Sequence, residues 1–342
     1  MAAWKSQVER FCHEYLQLEP SLDFPDDAYL REAEVQDTIF GTIFAEGAVR
    51  YSPPPRYRLR VLKQLVARIE ASISDWDQHA VSDDLMVALS VLLATPIPPE
   101  TDSAQQKCYV TYHLSALPRA QPAQPCVTLL ENRFLISAAG TTGLRTWEAA
   151  MHLGQYLCRH PSIVSGRHVL ELGAGTGYLS ILCTKHLDAA HVIASDGSDD
   201  VINNLPDNFF LNGLQDSPRV VPMDVKWGYA LMGTEDEAWN GGRPVDVVLG
   251  ADITYDDSVI PALVGTLLDV FALHPRVEVY ISATQRNIKT FQVFLDKCRL
   301  NHLDVEDMRF EVPPRESQDG PFYNDQVAIR ICRVCRSQEH GG

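Results

Sequence analysis

The run His168-Val169-Leu170-Glu171-Leu172-Gly173-Ala174-Gly175-Thr176-Gly177 constrains this chain more than any other segment. Its first half reads as a buried strand carrying a carboxylate near its end, and three alternating glycines then turn it into a helical pattern. Glycines at this spacing let the backbone take dihedrals that a Cβ would forbid and lie close to a ligand. The helix N-terminus behind them offers N–H donors without intrahelical partners. That is the layout of a nucleotide-cofactor site. The spacing is G-x-G-x-G, not the G-x-G-x-x-G of dinucleotide turns, and Glu171 stands two residues before the first glycine. A carboxylate there suits the cationic amino-acid end of S-adenosylmethionine, which has no pyrophosphate to cradle. A purely structural strand-to-helix turn is the competing reading. Against it, the strand-like run His191–Asp196 ends in an acid about twenty residues on, where a nucleotide-binding unit carries its ribose-hydroxyl acceptor. Capping of the next helix is the alternative role for Asp196, although Ser198 or Asp199 would serve as well.

A chain of 342 residues, 45% apolar and 22% charged, is long for one domain, so two units are expected. No apolar stretch approaches membrane-spanning length. The N-terminus, with Glu9, Glu14, Glu19 and Asp23, resembles neither a signal nor a transit peptide, which points to a cytoplasmic protein without a membrane partner. The formal charge of −16 opposes binding to a phosphate backbone and suits a basic partner such as a lysine-bearing protein segment. The eight cysteines are scattered through apolar segments, as reduced thiols are. Only Cys332-Arg-Val-Cys335 has ligand-like spacing. In an alternating strand its two sulfurs face opposite sides, so no metal site is expected.

From Trp4 to about Leu93, apolar residues recur at helical spacing, among them Val8, Phe11, Cys12 and Tyr15, then Leu62, Leu65, Val66 and Ile69. A proline-marked stretch from Thr95 to Gln106 closes this helical N-terminal domain, 1–105, in which no catalytic motif appears. Two β-like runs, Cys108–His113 and Cys126–Leu130, predict a hairpin leading into a second domain over 106–336, with 337–342 a disordered tail. Gly140-Thr-Thr-Gly-Leu-Arg-Thr146 reads as a hinge with Thr146 capping an amphipathic helix over Trp147–His160. From His168, strands at 168–172, 191–196, 219–223, 245–251 and 276–284 alternate with helices at 176–187, 199–212, 258–273 and 287–300. Strands at 303–311 and 326–333 follow with no helix between them. This predicts an α/β fold: a Rossmann-like, seven-stranded sheet of the methyltransferase type, with the last hairpin making one edge strand antiparallel.

In such sheets ligands sit beyond the carboxyl ends of the strands. Asp224 and Trp227, after the third strand, are candidates to accept from an adenine amino group and to pack on the ring. A turn Asp and a core Trp are the alternative. Asp252 and Tyr255, after the fourth strand, would give an amine nucleophile an acceptor and an aromatic wall to orient its lone pair. The alternative for Asp252 is a helix cap.

Gly140-Thr-Thr-Gly-Leu-Arg-Thr-Trp147-Glu, Val169-Leu-Glu-Leu-Gly-Ala-Gly-Thr-Gly177, Asp224-Val-Lys-Trp227 and Ala251-Asp-Ile-Thr-Tyr255 resemble the seven-β-strand protein-lysine methyltransferases known as methyltransferase family 16. Val277-Glu-Val-Tyr-Ile-Ser-Ala-Thr-Gln-Arg-Asn287 and the helical N-terminal region resemble, more particularly, the branch that methylates a lysine of translation elongation factor 2, here a fungal member. The resemblance implies S-adenosylmethionine as cofactor. It places Trp147 by the methionine moiety, and Glu171, Gly173, Ala174, Gly175 and Gly177 around the amino-acid end. Asp196 falls on the ribose, Asp224 and Trp227 on the adenine, and Ala251 along the pocket by its backbone. Asp252 and Tyr255 match the family's D-x-x-[YF] motif, implicated in admitting the substrate lysine. The family's adjacent Asp-Trp pair is here separated by two residues, and Gly233 to Gly242 reads as a mobile insertion. The implied activity is direct in-line methyl transfer to a lysine of elongation factor 2 by a monomer, without metal or covalent intermediate. Another protein or a small molecule is the alternative substrate. A base-directed amino-methyltransferase would carry an Asn-Pro-Pro-Tyr-like run where Asp252-Ile-Thr-Tyr255 stands.

Overall fold

Apolar residues at three- and four-residue spacing build the helices of the N-terminal part. The computed structural model describes residues 3–96, 106–119, 124–132, 142–229, 231, 240 and 242–337. Helix α1 (Ala3–Leu16) is followed by the short α2 (Asp27–Leu30) and by α3 (Ala33–Ile39), which runs into a π turn at Phe40–Phe44. Helix α4 (Pro55–Ser72) starts on Pro55, whose missing N–H costs nothing in a first turn, and α5 spans Asp83–Ala94. Phe11, Tyr15, Leu30, Ile39, Leu62, Leu65 and Ile69 form the fully buried centre of this helical cluster. Strand β1 (Cys108–His113) and strand β2 (Cys126–Glu131) pair in a two-stranded sheet, the expected hairpin.

Contacts divide the chain into two units. The first is Met1–Ser115 with Leu130–Leu135 and Gln318–Phe322; the second is Ala116–Leu129, Ile136–Ser317 and Tyr323–Gly342. Within the first unit the buried Gln17 side chain accepts from the Phe322 N–H at 2.8 Å and donates to its carbonyl, and Tyr112 donates to Glu131 at 2.9 Å.

The second unit holds strands β3 (His168–Leu172), β4 (His191–Asp196), β5 (Val220–Asp224), β6 (Val247–Ala251), β7 (Glu278–Thr284), β8 (Leu303–Met308) and β9 (Ile329–Arg336). They form a seven-stranded sheet in the order β5-β4-β3-β6-β7-β9-β8. Helix α6 (Glu148–Arg159) precedes β3, and between the strands run α7 (Tyr178–His186), α8 (Asp199–Leu211), α9 (Ile260–Leu273) and α10 (Ile288–Leu300). Strands β3 to β7 are parallel, and the inner ones read as near-continuous apolar runs because helices cover both faces. The chain leaves β3 toward β4 and β5, then returns to lay β6 on the other side of β3. That reversal opens a crevice at the carboxyl ends of β3 and β6.

One expectation is corrected here. β9 is antiparallel to both β7 and β8 and lies between them, so the edge strand β8 runs parallel to β7. The burial of each strand explains the exchange. β9 brings Ile329, Ile331, Cys332 and Val334 and takes the inner place, while β8 exposes Asp304, Glu306 and Asp307 at the edge, where charges discourage further pairing. Cys332 is buried and Cys335 half-buried on alternating positions of β9, and all eight cysteines are free thiols. Among the described residues no group of His, Cys, Asp and Glu has metal-binding geometry, and no helix is long and apolar enough to cross a membrane. Most of the linker to Gln106, Gly140-Thr141, the insertion from Gly233 apart from Asn240 and Gly242, and the tail 338–342 lie outside the described residues.

Candidate active site

The glycine turn is built by backbone need. Gly173, Gly175 and Gly177 have φ of +69°, +54° and +81°, a region that costs residues bearing a Cβ roughly 1–2 kcal/mol each. Each glycine also fills a close approach. A Cβ on Gly173 would lie 2.6 Å from Ile253 Cγ2, and one on Gly175 would lie 3.1 Å from the Gly143 carbonyl oxygen. A Cβ on Gly177 would lie 2.8 Å from Leu205 Cδ2. The turn is pinned from below, where the Ala174 N–H donates to the Ser195 carbonyl at 2.8 Å and Ser195 Oγ to the Glu171 carbonyl at 2.6 Å.

Above this turn, at the reversal of strand order, a cleft of about 390 Å³ opens. Glu171, Gly173, Ala174 and Gly175 form its floor, Asp196 and Trp227 one side, and Trp147, Ala251, Asp252 and Tyr255 the other. Of the residues singled out from the sequence, only Gly177 and Asp224 stay out of the wall. Gly177 is the left-handed residue that starts α7 and is packed against Leu205, so it shapes the turn without facing the cleft. Asp224 ends β5 on its solvent side, half-exposed, with its carboxylate 3.4 Å from Lys226 Nζ. The Val225 N–H donates to the Asp196 carbonyl at 3.1 Å, so the chain stays in ladder geometry past Asp224, and it is Val225, Lys226 and Trp227 that reach the cleft.

Two carboxylates anchor the floor. Glu171 Oε2 accepts from the Ser180 N–H at 2.9 Å and from the Ser180 hydroxyl, at the positive end of α7. Burial nevertheless pushes its carboxyl up to about 8, against those two bonds and with some help from Asp196. Asp196 takes the Gly175 N–H at 3.2 Å and the Ser198 N–H at 3.0 Å, so it fastens the glycine turn to the end of β4. Its carboxyl is also raised by burial, with the backbone N–H groups pulling it back down. Ser198 starts α8 without a side-chain cap.

A strap over residues 142–147 closes the cleft along its rim. Thr146 does not cap α6, whose N-cap position is Trp147; its hydroxyl lies 2.7 Å from that of Thr176, tying the strap to the glycine turn. Trp147 donates from Nε1 to the Thr142 carbonyl at 3.0 Å, and the guanidinium carbons of Arg145 and Arg286 lie 4.9 and 5.0 Å from its ring centre.

Asp252 is held in an uncommon way. Its φ is +52°, left-handed for a residue with a side chain, and its N–H donates to the Ser282 carbonyl at 2.8 Å. Its carboxylate does not cap α9. Oδ1 accepts from the Thr284 N–H at 2.8 Å and Oδ2 from the Thr284 hydroxyl at 2.9 Å, and Arg286 Nη1 lies 3.6 Å from Oδ2. Burial raises its carboxyl, and Thr284 and Arg286 draw it back. Such strain in a buried acid beside a cleft is the pattern of a functional group. Tyr255, three residues on, stands 61% exposed at the mouth.

The family match falls on the part of the chain that holds this cleft, and relatives extend over nearly the whole chain. A family model described as lysine methyltransferase matches residues 134–300. The protein-lysine N-methyltransferase EFM3 of Chaetomium thermophilum is 55% identical over 98% of this chain and all of its own length. This chain is a protein-lysine methyltransferase of that family. The human protein-lysine N-methyltransferase EEF2KMT is 30% identical, covering 90% of this chain and 89% of its own. The Saccharomyces cerevisiae EFM3 is 34% identical over 50% and 53% of the two chains. The enzyme therefore acts on a protein and requires a methyl donor. Sequence reasoning did not single out Thr284 and Arg286 as partners of Asp252. Thr284 ends β7 and Arg286 follows it, and only the register Ala251↔Ser282 brings them beside the end of β6.

Proposed function

We propose that the enzyme transfers a methyl group from S-adenosylmethionine to a lysine of translation elongation factor 2, with Asp252 and Tyr255 receiving the lysine at the mouth of the cleft. The observation that carries the reading is the convergence, in one cleft, of a glycine floor between two buried carboxylates and a strained carboxylate beside an aromatic rim.

The cleft fits the cofactor by its own chemistry. Two positions on its floor, Gly173 and Gly175, are closed to a Cβ or a right-handed backbone, leaving main chain open to a ligand. An ammonium beside Glu171 would draw its carboxyl back to the charged form, and Asp196 offers spare lone pairs to a ribose hydroxyl. Trp227 presents a buried indole N–H with no partner, a donor awaiting an acceptor of the adenine kind. Trp147, fixed by Thr142 and flanked by two guanidinium groups, would lie along the methionine end. When bound, the cofactor would supply a methyl group on a positively charged sulfur, a carbon open to in-line attack by an amine.

The chain's own residues prepare the amine. Free lysine is protonated below about pH 10, so the site must bind an ammonium and let it lose a proton. Asp252 draws the ammonium in; Tyr255 and Trp147 confine it laterally, so that its lone pair has one open direction. Tyr255 is open to solvent, giving the proton an exit to water. Elongation factor 2 as partner rests on the sequence resemblance and on the name of the relative EEF2KMT. On this reading the enzyme works in the cytoplasm as a monomer.

The test is transfer of labelled methyl to purified elongation factor 2 by the wild type and by Asp252→Asn, with cofactor affinity measured by calorimetry. Asp252→Asn keeps cofactor affinity and loses transfer by roughly 10²-fold or more, as removal of a group that orients the nucleophile does. Full activity in that variant refutes the role given to Asp252.

A further inference from the structure

A carboxylate that attracts a lysine also stabilises its charged form, which cannot attack a methyl group. A site holding Asp252 alone would bind its substrate and stall. The residue that resolves this conflict stands just past β7. Arg286 follows Thr284, the residue that holds Asp252, by two positions, and its N–H donates to the Thr284 carbonyl at 2.9 Å. Its guanidinium bonds to Glu148 through Nη2, lies over the Trp147 ring at 5.0 Å, and brings Nη1 to 3.6 Å from Asp252 Oδ2. The two carboxylates are engaged differently. The contact with Glu148 is a hydrogen bond, whereas 3.6 Å to Asp252 is beyond hydrogen-bond range and acts through charge alone.

We propose that Arg286 is a positioning residue of the amine site: anchored on Glu148 and Trp147, it balances the charge of Asp252 so that the carboxylate steers the substrate lysine without retaining its proton. This rests on the function proposed above and names a residue that acts through Asp252. Because Arg286 has its hydrogen bond on Glu148, an arriving ammonium can approach Asp252 while Arg286 stays in place. A second positive charge then faces the ammonium across the same carboxylate and favours its neutral form. The charged groups that face Asp252 are Arg286 from beyond β7 and Glu148 from the first turn of α6. Arg145 reaches Glu148 from the strap at 3.8 Å, and Tyr255 is the neighbour on the same loop.

Two readouts test the proposal. Carbon-13 NMR of carboxyl-labelled aspartate, with Asp252→Asn to assign the resonance, follows Asp252 directly in the wild type, Arg286→Met and Arg286→Lys, without any substrate. Its midpoint moves to higher pH in Arg286→Met and stays near the wild-type value in Arg286→Lys. In methyl transfer, the kcat/KM profile of Arg286→Met is displaced to higher pH, with activity down at least roughly tenfold near neutrality and largely recovered in alkali. Cofactor affinity is unchanged and Arg286→Lys restores most of the loss. An Asp252 midpoint unmoved in Arg286→Met, or a uniform loss of kcat/KM with unchanged midpoints, overturns the proposal. If elongation factor 2 takes no methyl from the wild type, the substrate reading falls, while the Asp252 titration still decides the role of Arg286.

Discussion

Gly173→Ala isolates what the glycine turn asks of the backbone. Gly173 has φ of +69°, and a Cβ there would lie 2.6 Å from Ile253 Cγ2. The left-handed conformation costs alanine roughly 1–2 kcal/mol, and the clash adds about 1–3 kcal/mol if the core must shift to admit the methyl. Ile253 has little room to yield toward β6, because its Cδ1 already lies 2.4 Å from where a Cβ on Gly250 would stand. The expected destabilisation is about 2–5 kcal/mol, a fall in Tm of roughly 5–15 °C for a unit of this size. Calorimetry on Gly173→Ala, Ile253→Ala and the double variant separates the two contributions. Ile253→Ala removes the clashing methyl but leaves the strain, so the double variant is more stable than the sum of the singles predicts by about 1–3 kcal/mol. A single variant within about 0.5 kcal/mol of wild type, or strict additivity in the cycle, refutes the packing argument.

Glu171→Gln tests the burial of the floor carboxyl. Its folded value of about 8 stands above the ordinary 4.5, so between those pH values the folded state holds a proton that the unfolded chain has lost. Wild-type stability therefore declines as pH rises through that window and levels off above it, while Glu171→Gln lacks this slope. Urea unfolding across the window checks it, and parallel curves for the two proteins contradict it. Thr284→Val removes the hydroxyl that donates to Asp252 Oδ2 at 2.9 Å. The loss costs about 1–3 kcal/mol in denaturant unfolding and moves Asp252 to higher pH by NMR; a variant of wild-type stability and titration would show that the backbone N–H suffices.

The sequence made the glycine half of the cleft legible because local chemistry determines it. A strand, a carboxylate and alternating glycines within ten residues leave little freedom, and Asp196 follows one strand later. The opposite side of the cleft was legible only as far as Asp252 and Tyr255. Their partners Thr284 and Arg286 lie some thirty residues on, and only the pairing of β6 with β7 shows that they meet Asp252. Asp224 lies outside the cleft wall for a related reason. A strand end offers alternate residues to opposite faces, and the two residues separating Asp224 from Trp227 put the indole in the cleft and the carboxylate in solvent. Gly177 looked like a ligand contact because it shares the spacing of Gly173 and Gly175, but what excludes a side chain there is Leu205. The order of the last two strands was hidden because period-two burial marks strands without ranking them, whereas the exposed acids of β8 against the buried residues of β9 decide which lies outside.

The most direct measurement of the central claim is tandem mass spectrometry of elongation factor 2 after incubation with the enzyme and S-adenosylmethionine, beside a reaction with Asp252→Asn. The wild type is expected to methylate one lysine and the variant none at matched cofactor occupancy. Methylation that persists in the variant, or an elongation factor left unmodified by an enzyme that binds the cofactor, would contradict that claim.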